Sequence, residues 1–208
     1  MHGIARGGKN LYGFAIGILM LHTRFPRIPG EMGNATTWDF PVLYKVVKGA
    51  SPHRVVREGD PALLEPFIEA ARELEREGVR AITTNCGFLA MFQKEMAAAV
   101  NVPVFTSTLM MVPMVYRMLR PDQKVGIITV NAKTLGERHL EGAGAAGVPV
   151  AIAGLDTEEE FSHVLLDDQL ELDVDKARAE HVRVAKRLLA EHPEVGAIVL
   201  ECTNMPPY

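Results

Sequence analysis

The stretch Ile82-Thr83-Thr84-Asn85-Cys86-Gly87-Phe88 has a second copy, Ile198-Val199-Leu200-Glu201-Cys202-Thr203-Asn204. The two copies contain the only two cysteines of the chain, at an offset of 116 residues (202 minus 86). Valine, alanine, isoleucine and cysteine coincide at this offset without a gap. In each copy an apolar run of strand length follows a helical pattern and ends in polar residues. The sequence therefore predicts an internal repeat that places each cysteine at the carboxyl end of a buried strand.

The pattern around the repeat predicts an α/β fold of two pseudo-symmetric lobes, each a mainly parallel sheet flanked by helices. The apolar run ending at Leu21 contains a glycine, and Val125-Gly126-Ile127-Ile128 restarts the same pattern. Asp60 and Pro61 open an amphipathic helix before the first cysteine strand, and a second helix precedes the other. We assign residues 1–107 to the first lobe and 108–208 to the second. Because ligands bind at the carboxyl ends of parallel strands, we expect the active site in the cleft between the lobes.

Composition and charge narrow the class of protein. The 22 basic and 26 acidic residues give a net charge of -4, which favours neither nucleic acid nor an anionic membrane as a partner. Residues 11–21 form an apolar run that lacks a signal cleavage site and is too short to span a bilayer. Two cysteines make no disulfide framework, so we expect a cytoplasmic protein. A homodimer is expected because two-fold assemblies are the commonest.

The two cysteines are the candidate catalytic residues. The helix predicted to begin near Phe88 places backbone amides beside Cys86, which would favour its thiolate form. A single cysteine would equally well be an inert core residue. Two at matched positions of a repeat would face each other across the cleft, so a carbon held between them could lose a proton to one thiolate and regain a proton from the other thiol. That sequence of steps inverts a stereocentre.

Small polar residues near the predicted strand ends are candidates for substrate binding. Four of them adjoin the cysteines and two end another predicted strand: Asn85, Gly87, Thr203, Asn204, Thr129 and Asn131. Turn and cap chemistry explains such residues as well. In the loop after the first strand, Arg24 and Arg27 can clamp a carboxylate, although exposed loop arginines are common. Glu201 either changes the pKa of the adjacent Cys202 thiol or points to solvent. Thr134 and Glu137 have the spacing of a capping box, which predicts that Thr134 caps the next helix.

Cofactor and metal chemistry find no support in the sequence. The seven histidines include no pair at metal-ligand spacing, and the two cysteines lie far apart in the chain. No glycine-rich phosphate fingerprint follows the first strand. We therefore expect neither a metal nor a nucleotide cofactor.

The motifs Thr-Asn-Cys-Gly-Phe and Leu-Glu-Cys-Thr-Asn-Met-Pro-Pro carry a resemblance, together with the opening Gly-Ile-Leu-Met-Leu and the loop Arg-Phe-Pro-Arg-Ile-Pro-Gly. In this order they resemble the aspartate/glutamate racemase superfamily over residues 16–208. The resemblance implies two pseudo-symmetric lobes, a cofactor-independent reaction, and Cys86 and Cys202 as the two catalytic bases. Hydantoin racemases, maleate isomerases and arylmalonate decarboxylases are similar too. Members of the superfamily continue past the second motif with a segment that returns to the first lobe, and the sequence to Tyr208 does not include it.

Two departures from the resemblance concern the substrate. The first cysteine of glutamate and aspartate racemases is typically followed by Asn-Thr, whereas here Asn85 precedes Cys86 and Gly87 follows it. Asn204 stands where glutamate racemases usually have histidine. The leading hypothesis is a racemase or epimerase that inverts the stereocentre next to the carboxylate of an amino acid or derivative. The alternatives are a single-cysteine isomerase or decarboxylase of a small dicarboxylate, and a non-catalytic protein that binds a small ligand.

Overall fold

The computed structural model describes residues 3–208, in which two parallel β-sheets are flanked by helices. The predicted first lobe also includes residues 1 and 2, which lie outside the described residues. The two sheets confirm the predicted α/β class. No helix within residues 3–208 is long and apolar enough to cross a membrane.

The first sheet has the strand order β2-β1-β3-β4. Its strands are β1 (Ile16–Leu21), β2 (Val42–Val47), β3 (Ala81–Thr84) and β4 (Val104–Phe105). The helices of this half are α1 (Leu64–Arg76) and α2 (Gln93–Ala98), with a π-helix at His53–Glu58 and 3-10 turns at Ala35–Thr37, Pro61–Leu63 and Gly87–Phe92. As predicted, the carboxylate of Asp60 accepts a hydrogen bond from the backbone N–H of Ala62 and starts the turn that leads into α1.

The second sheet has the order β6-β5-β7, built from β5 (Lys124–Thr129), β6 (Val150–Gly154) and β7 (Val195–Leu200). A 3-10 turn at Thr108–Met111 leads from the first half into α3 (Val112–Tyr116). The remaining helices are α4 (Glu137–Gly142), α5 (Phe161–Leu166) and α6 (Val174–Glu191), with a 3-10 turn at Leu155–Thr157. The carboxylate of Asp173 caps α6, the helix that precedes the second cysteine strand.

The repeat seen in the sequence is also a repeat in packing. Gly17 of β1 is in register with Ile82, and Gly126 of β5 is in register with Ile198. A Cβ at Gly17 would lie 2.8 Å from Leu74 Cδ1 of α1, and one at Gly126 would lie 3.0 Å from Leu188 Cδ2 of α6. Each glycine therefore lets the helix before a cysteine strand pack closely on the centre of its sheet. Each cysteine follows the strand that pairs with the glycine's strand, so the two cysteines lie at equivalent ends of the two sheets.

Two predictions about helix starts are wrong. Thr134 does not cap the following helix, because α4 begins at Glu137 after Gly136, and the buried Thr134 Oγ1 has no hydrogen-bond partner among residues 3–208. The helix predicted from Phe88 to Val100 is divided into the 3-10 turn and α2. This turn packs tightly against α4, where a Cβ at Gly142 would lie 2.1 Å from the carbonyl oxygen of Ala90.

Candidate active site

A small cavity lies where the carboxyl ends of the central strands of both sheets meet. Leu21 lines it from the last position of β1, and Asn85 and Val130 line it directly after β3 and β5. Both cysteines line the same cavity, Cys86 from the first half and Cys202 from the second. The repeat thus brings its two thiols to one cavity. This is the edge of parallel sheets at which ligands bind in open α/β folds.

Burial dominates the acid–base properties of both thiols. Cys86 and Cys202 are free cysteines, exposed by only 8% and 7%. Burial, followed by the charge of Glu201, raises the pKa of Cys86 well above its ordinary value and raises the pKa of Cys202 to about 12. The backbone N–H of Phe88 and the charge of Arg27 lower the pKa of Cys86, but burial outweighs them. The expectation that the helix start would favour the Cys86 thiolate is therefore wrong, because a short 3-10 turn in an apolar cavity does not offset desolvation.

Arg27 brings a positive charge to the cavity wall. Its Nη1 donates to Glu31 Oε2 at 3.1 Å and to Asn204 Oδ1 at 2.9 Å, and its Nη2 donates to Thr23 Oγ1 at 2.9 Å. The guanidinium carbon lies 4.4 Å from the ring centroid of Phe25. Burial raises the pKa of Glu31 to about 7 although Arg27 opposes the shift. The loop arginine is thus held rigidly, with a planar fork of donors at the edge of the cavity.

Glu201 is a buried carboxyl group between the two cysteine loops. Its side chain is fully buried, and Oε2 accepts a hydrogen bond from Thr129 Oγ1 at 2.8 Å. Burial raises the pKa of Glu201 to about 7, while the hydrogen bond from Thr129 opposes this. Its other oxygen lies against Gly87, where a Cβ would come within 2.1 Å of Oε1. A side chain at position 87 would therefore displace this carboxyl.

Hydrogen bonds tie the two cysteine loops to each other and to the first sheet. Thr203 Oγ1 donates to the backbone carbonyl of Asn85 at 2.6 Å. Asn85 Oδ1 accepts from the backbone N–H of Leu21 at 2.7 Å. Asn204 Nδ2 donates to Cys202 Sγ at 3.5 Å, which stabilises the thiolate form of Cys202. Each loop thus depends on a contact from the other half of the chain for its position.

Hydrogen bonds and an ion pair outside the cavity also join the two halves of the chain. The carboxylate of Asp168 accepts hydrogen bonds from the backbone N–H of Arg24 at 2.6 Å and of Phe25 at 3.1 Å. Arg57 Nη2 lies 2.7 Å from Asp167 Oδ1. Asp168 adopts a left-handed backbone with φ of 53°, which few residues other than glycine tolerate. These contacts position the backbone of Phe25, which lines the cavity together with two leucines of the second half, Leu165 and Leu166.

The structure separates the residues predicted to bind substrate into three groups. Asn85, Gly87 and Asn204 line the cavity with the cysteines. Thr129 and Thr203 lie behind it and hold other residues of the site, as described above. Asn131 and Arg24 lie outside the cavity lining. Asn131 Oδ1 accepts from the backbone N–H of Lys133, and Arg24 faces solvent with its side chain 69% exposed.

Arg27 and Glu201 both line the cavity, whereas the sequence leaves open whether either of them enters the site. Arg24 and Arg27 lie in the same loop, and no local pattern distinguishes the arginine that turns inward. For Glu201 the signal was its position directly before Cys202. Within residues 3–208, no cluster of three or more histidine, cysteine, aspartate or glutamate residues could hold a metal ion.

Comparison with known proteins identifies the family. A sequence model of the Asp/Glu/Hydantoin racemase family matches residues 46–208, so the chain belongs to this family. A dimethylsulfoniopropionate lyase from Durusdinium sp. clade D is 31% identical over 207 residues, covering 96% of this chain and 68% of the lyase. Dimethylsulfoniopropionate lyase 3 from Emiliania huxleyi (strain CCMP1516) is 28% identical over 205 residues, and the match covers 93% of this chain and 53% of that protein.

Solved structures share the fold at low sequence identity. A mutant of arylmalonate decarboxylase in a sulfate-associated form has a TM-score of 0.58 and 21% identity, covering 89% of this chain and 76% of that one. The aspartate racemase of Picrophilus torridus has a TM-score of 0.57 and 15% identity, covering 92% of this chain and 82% of that one. The fold is therefore shared by proteins named as racemase and as decarboxylase.

Proposed function

We propose that this chain is a cofactor-independent enzyme that removes the proton from the carbon next to a carboxylate, with Cys86 and Cys202 as its acid–base pair. The observation that carries the proposal is the convergence of both thiols on one cavity that Arg27 also lines. Thiols are suited to this step because a buried thiolate of high pKa is a strong base once formed. Arg27 provides the charge that attracts the substrate carboxylate.

The proposed reaction starts with the carboxylate near Arg27 and Asn204. One thiolate takes the proton from the neighbouring carbon, and the electron pair of the broken C–H bond forms an enolate with the carboxylate. Positive charge from Arg27 stabilises the enolate relative to the bound substrate. Because the free site disfavours thiolates, we propose that the base forms after ligand binding, when the thiol loses its proton to solvent water.

Elimination is the first proposed fate of the enolate. If the next carbon bears a leaving group, the electron pair forms a carbon–carbon double bond and the group departs with its bonding electrons. Support comes from the similarity to proteins named dimethylsulfoniopropionate lyases. With dimethylsulfoniopropionate this step would release dimethyl sulfide and acrylate, and the proton would remain on the thiol.

Racemisation is the second candidate, favoured by the origin of the thiols in equivalent parts of the two halves. If no leaving group is present, the second thiol can return a proton to the opposite face of the enolate. The family, which includes racemases by its description, agrees with this chemistry. The two fates share the first step and differ only in the substrate's substituent.

Proton NMR in D₂O tests both candidates with one protein preparation. The panel contains dimethylsulfoniopropionate, aspartate, glutamate, a hydantoin and a substituted malonate. We expect either dimethyl sulfide and acrylate, or deuterium at the α-carbon of both enantiomers of one compound. For racemisation, Cys86→Ser and Cys202→Ser should each lower the rate at least about 100-fold, since proton transfer by a positioned group contributes 10²–10⁴-fold. For elimination, the same loss is expected in the variant that lacks the thiol serving as base. Full turnover by both single variants, or no reaction across the panel with a folded protein, would refute the proposal.

A further inference from the structure

Glu201 has an oxygen for which the described residues offer no partner. The side chain is 0% exposed, and only Oε2 is satisfied, by Thr129 Oγ1. Oε1 is buried without a hydrogen-bond partner among residues 3–208, although the carboxyl lines the cavity. Burying an ionised oxygen without a hydrogen-bond partner in an apolar environment raises the free energy of the folded protein, and buried polar groups usually have partners. A ligand that brings positive charge or a donor to the cavity would remove this cost.

The cavity itself supplies no cation to Glu201. Of the side chains that line it within residues 3–208, only Arg27 is a permanent cation, and its observed bonds go to Glu31, Asn204 and Thr23. Much of the remaining wall is apolar, including Leu21 and Phe88. The site therefore combines an arginine at one place with a carboxyl group that has no cationic partner among residues 3–208 at another. This arrangement complements a ligand that carries both signs of charge.

We propose that Glu201 is the counter-charge for a positively charged substituent of the substrate. The site would then select small zwitterions, a carboxylate with an ammonium or sulfonium group, over dicarboxylates. This inference rests on the proposed function for the placement of the substrate carboxylate near Arg27. A second carboxylate near Glu201 would be repelled in a cavity where charges are poorly screened. The ordinary dicarboxylate substrates suggested by sequence reasoning are therefore disfavoured.

Gly87 and Thr129 are the residues that determine where the carboxyl group of Glu201 lies. The missing side chain at Gly87 leaves room for Oε1, and the hydroxyl of Thr129 fixes the other oxygen. The carboxyl group consequently cannot turn away to solvent and is held beside both cysteine loops. A cation bound there would also lower the cost of forming a thiolate, since the charge of Glu201 raises the pKa of both thiols.

Three ligands of similar shape test how charge, as distinct from size, affects binding. In 3-(trimethylammonio)propanoate the end opposite the carboxylate is a cation, and in 4,4-dimethylpentanoate the same shape is neutral. Succinate places a second carboxylate there. Calorimetric titration of the full chain at pH 8 should show at least about tenfold tighter binding of the cationic ligand than of the neutral one. Succinate should bind more weakly than either.

Two variants test the assignment to Glu201. Glu201→Gln keeps the size of the side chain and removes its charge, so the affinity ratio of the cationic to the neutral ligand should fall to about one. Glu65→Gln makes the same change at an exposed carboxylate of α1, so this matched control should retain the preference. Equal affinity of the wild-type protein for the cationic and neutral ligands would overturn the inference even if Glu201→Gln fails to fold. An unchanged ratio in Glu201→Gln would overturn it too.

Failure of this inference is distinguishable from failure of the proposed reaction because binding is measured without turnover. The double variant Cys86→Ala/Cys202→Ala should lose proton exchange at the α-carbon and keep the preference for the cationic ligand. A wild-type protein that shows the preference without any reaction on the panel refutes the reaction and supports the role of Glu201. Reaction without the preference refutes the role of Glu201 alone.

Discussion

Replacing Gly87 by alanine tests the tight contact between the two cysteine loops. The added Cβ would lie 2.1 Å from Glu201 Oε1 and 2.5 Å from the backbone oxygen of Glu201. A rotamer change can relieve only the first overlap. The backbone at Glu201 is fixed, because its N–H donates to the carbonyl of Ile128 at 2.8 Å and Thr108 Oγ1 donates to the preceding carbonyl at 2.6 Å.

We expect Gly87→Ala to lower the free energy of unfolding by about 2 kcal/mol. Overpacking costs about 1–3 kcal/mol, and the gain of about 0.5–1 kcal/mol from replacing glycine in a helical position offsets part of it. Urea unfolding followed by circular dichroism measures the difference. The matched control is Gly136→Ala, where a Cβ meets nothing within 4 Å and φ is negative. If both variants lie within about 0.5 kcal/mol of the wild type, a range typical of neutral surface changes, the reasoning is refuted.

Three further predictions concern buried charges and the contact between halves. Since the folded pKa of Glu201 is about 7 against an ordinary 4.5, stability contributed by its protonated form is lost as pH rises from 4.5 to 7. The stability of wild type relative to Glu201→Gln should therefore fall by up to about 3 kcal/mol over this window. Arg27→Met leaves Glu31 without its cation and should cost about 3 kcal/mol at pH 8, and less at pH 5 where Glu31 is protonated. Asp168→Ala removes the acceptor for the backbone N–H of Arg24 and should cost about 1–2 kcal/mol.

Urea unfolding measures the change in the free energy of unfolding in all three cases, and each case has its own control variant. Exposed Glu65→Gln should keep the wild-type pH dependence, and a flat difference between wild type and Glu201→Gln would contradict the first prediction. Arg24→Met, at an exposed arginine, should cost under about 1 kcal/mol. Equal losses for the two arginine variants would contradict the second. Asp168→Asn keeps an acceptor oxygen and tolerates the left-handed backbone, so it should lose less than Asp168→Ala. Equal losses at Asp168 would rule out the acceptor as the cause.

The position of the thiols was predictable from the sequence because it depends on a repeated, regular pattern. Buried parallel strands have a continuous apolar signature, and their carboxyl ends meet at a common edge. The family resemblance of the two cysteine motifs is confirmed by the match over residues 46–208. The registers of Gly17 and Gly126 explain why the repeat holds in three dimensions.

Features that depend on long-range contacts were not predictable in the same way. Arg24 and Arg27 share one loop, and only contacts to Glu31 and Asn204 decide which of them turns inward. The pKa of Cys86 depends on burial by both halves of the chain, which outweighs its position at a helix start. The sequence pattern at Thr134 satisfied the spacing of a cap, but the observed helix begins after Gly136. Spacing is local, whereas desolvation and loop geometry are set by the assembled fold.

The hydrogen bond from Thr203 to the carbonyl of Asn85 has a consequence for the order of events during synthesis. The two residues are 118 positions apart, so at ribosomal speeds of about 5–20 residues per second roughly 6 to 24 seconds separate their appearance. Throughout this interval the loop carrying Cys86 lacks its partner, and its thiol lacks the covering half of the chain. The nascent first half thus presents an open thiol that becomes protected only when the second half docks.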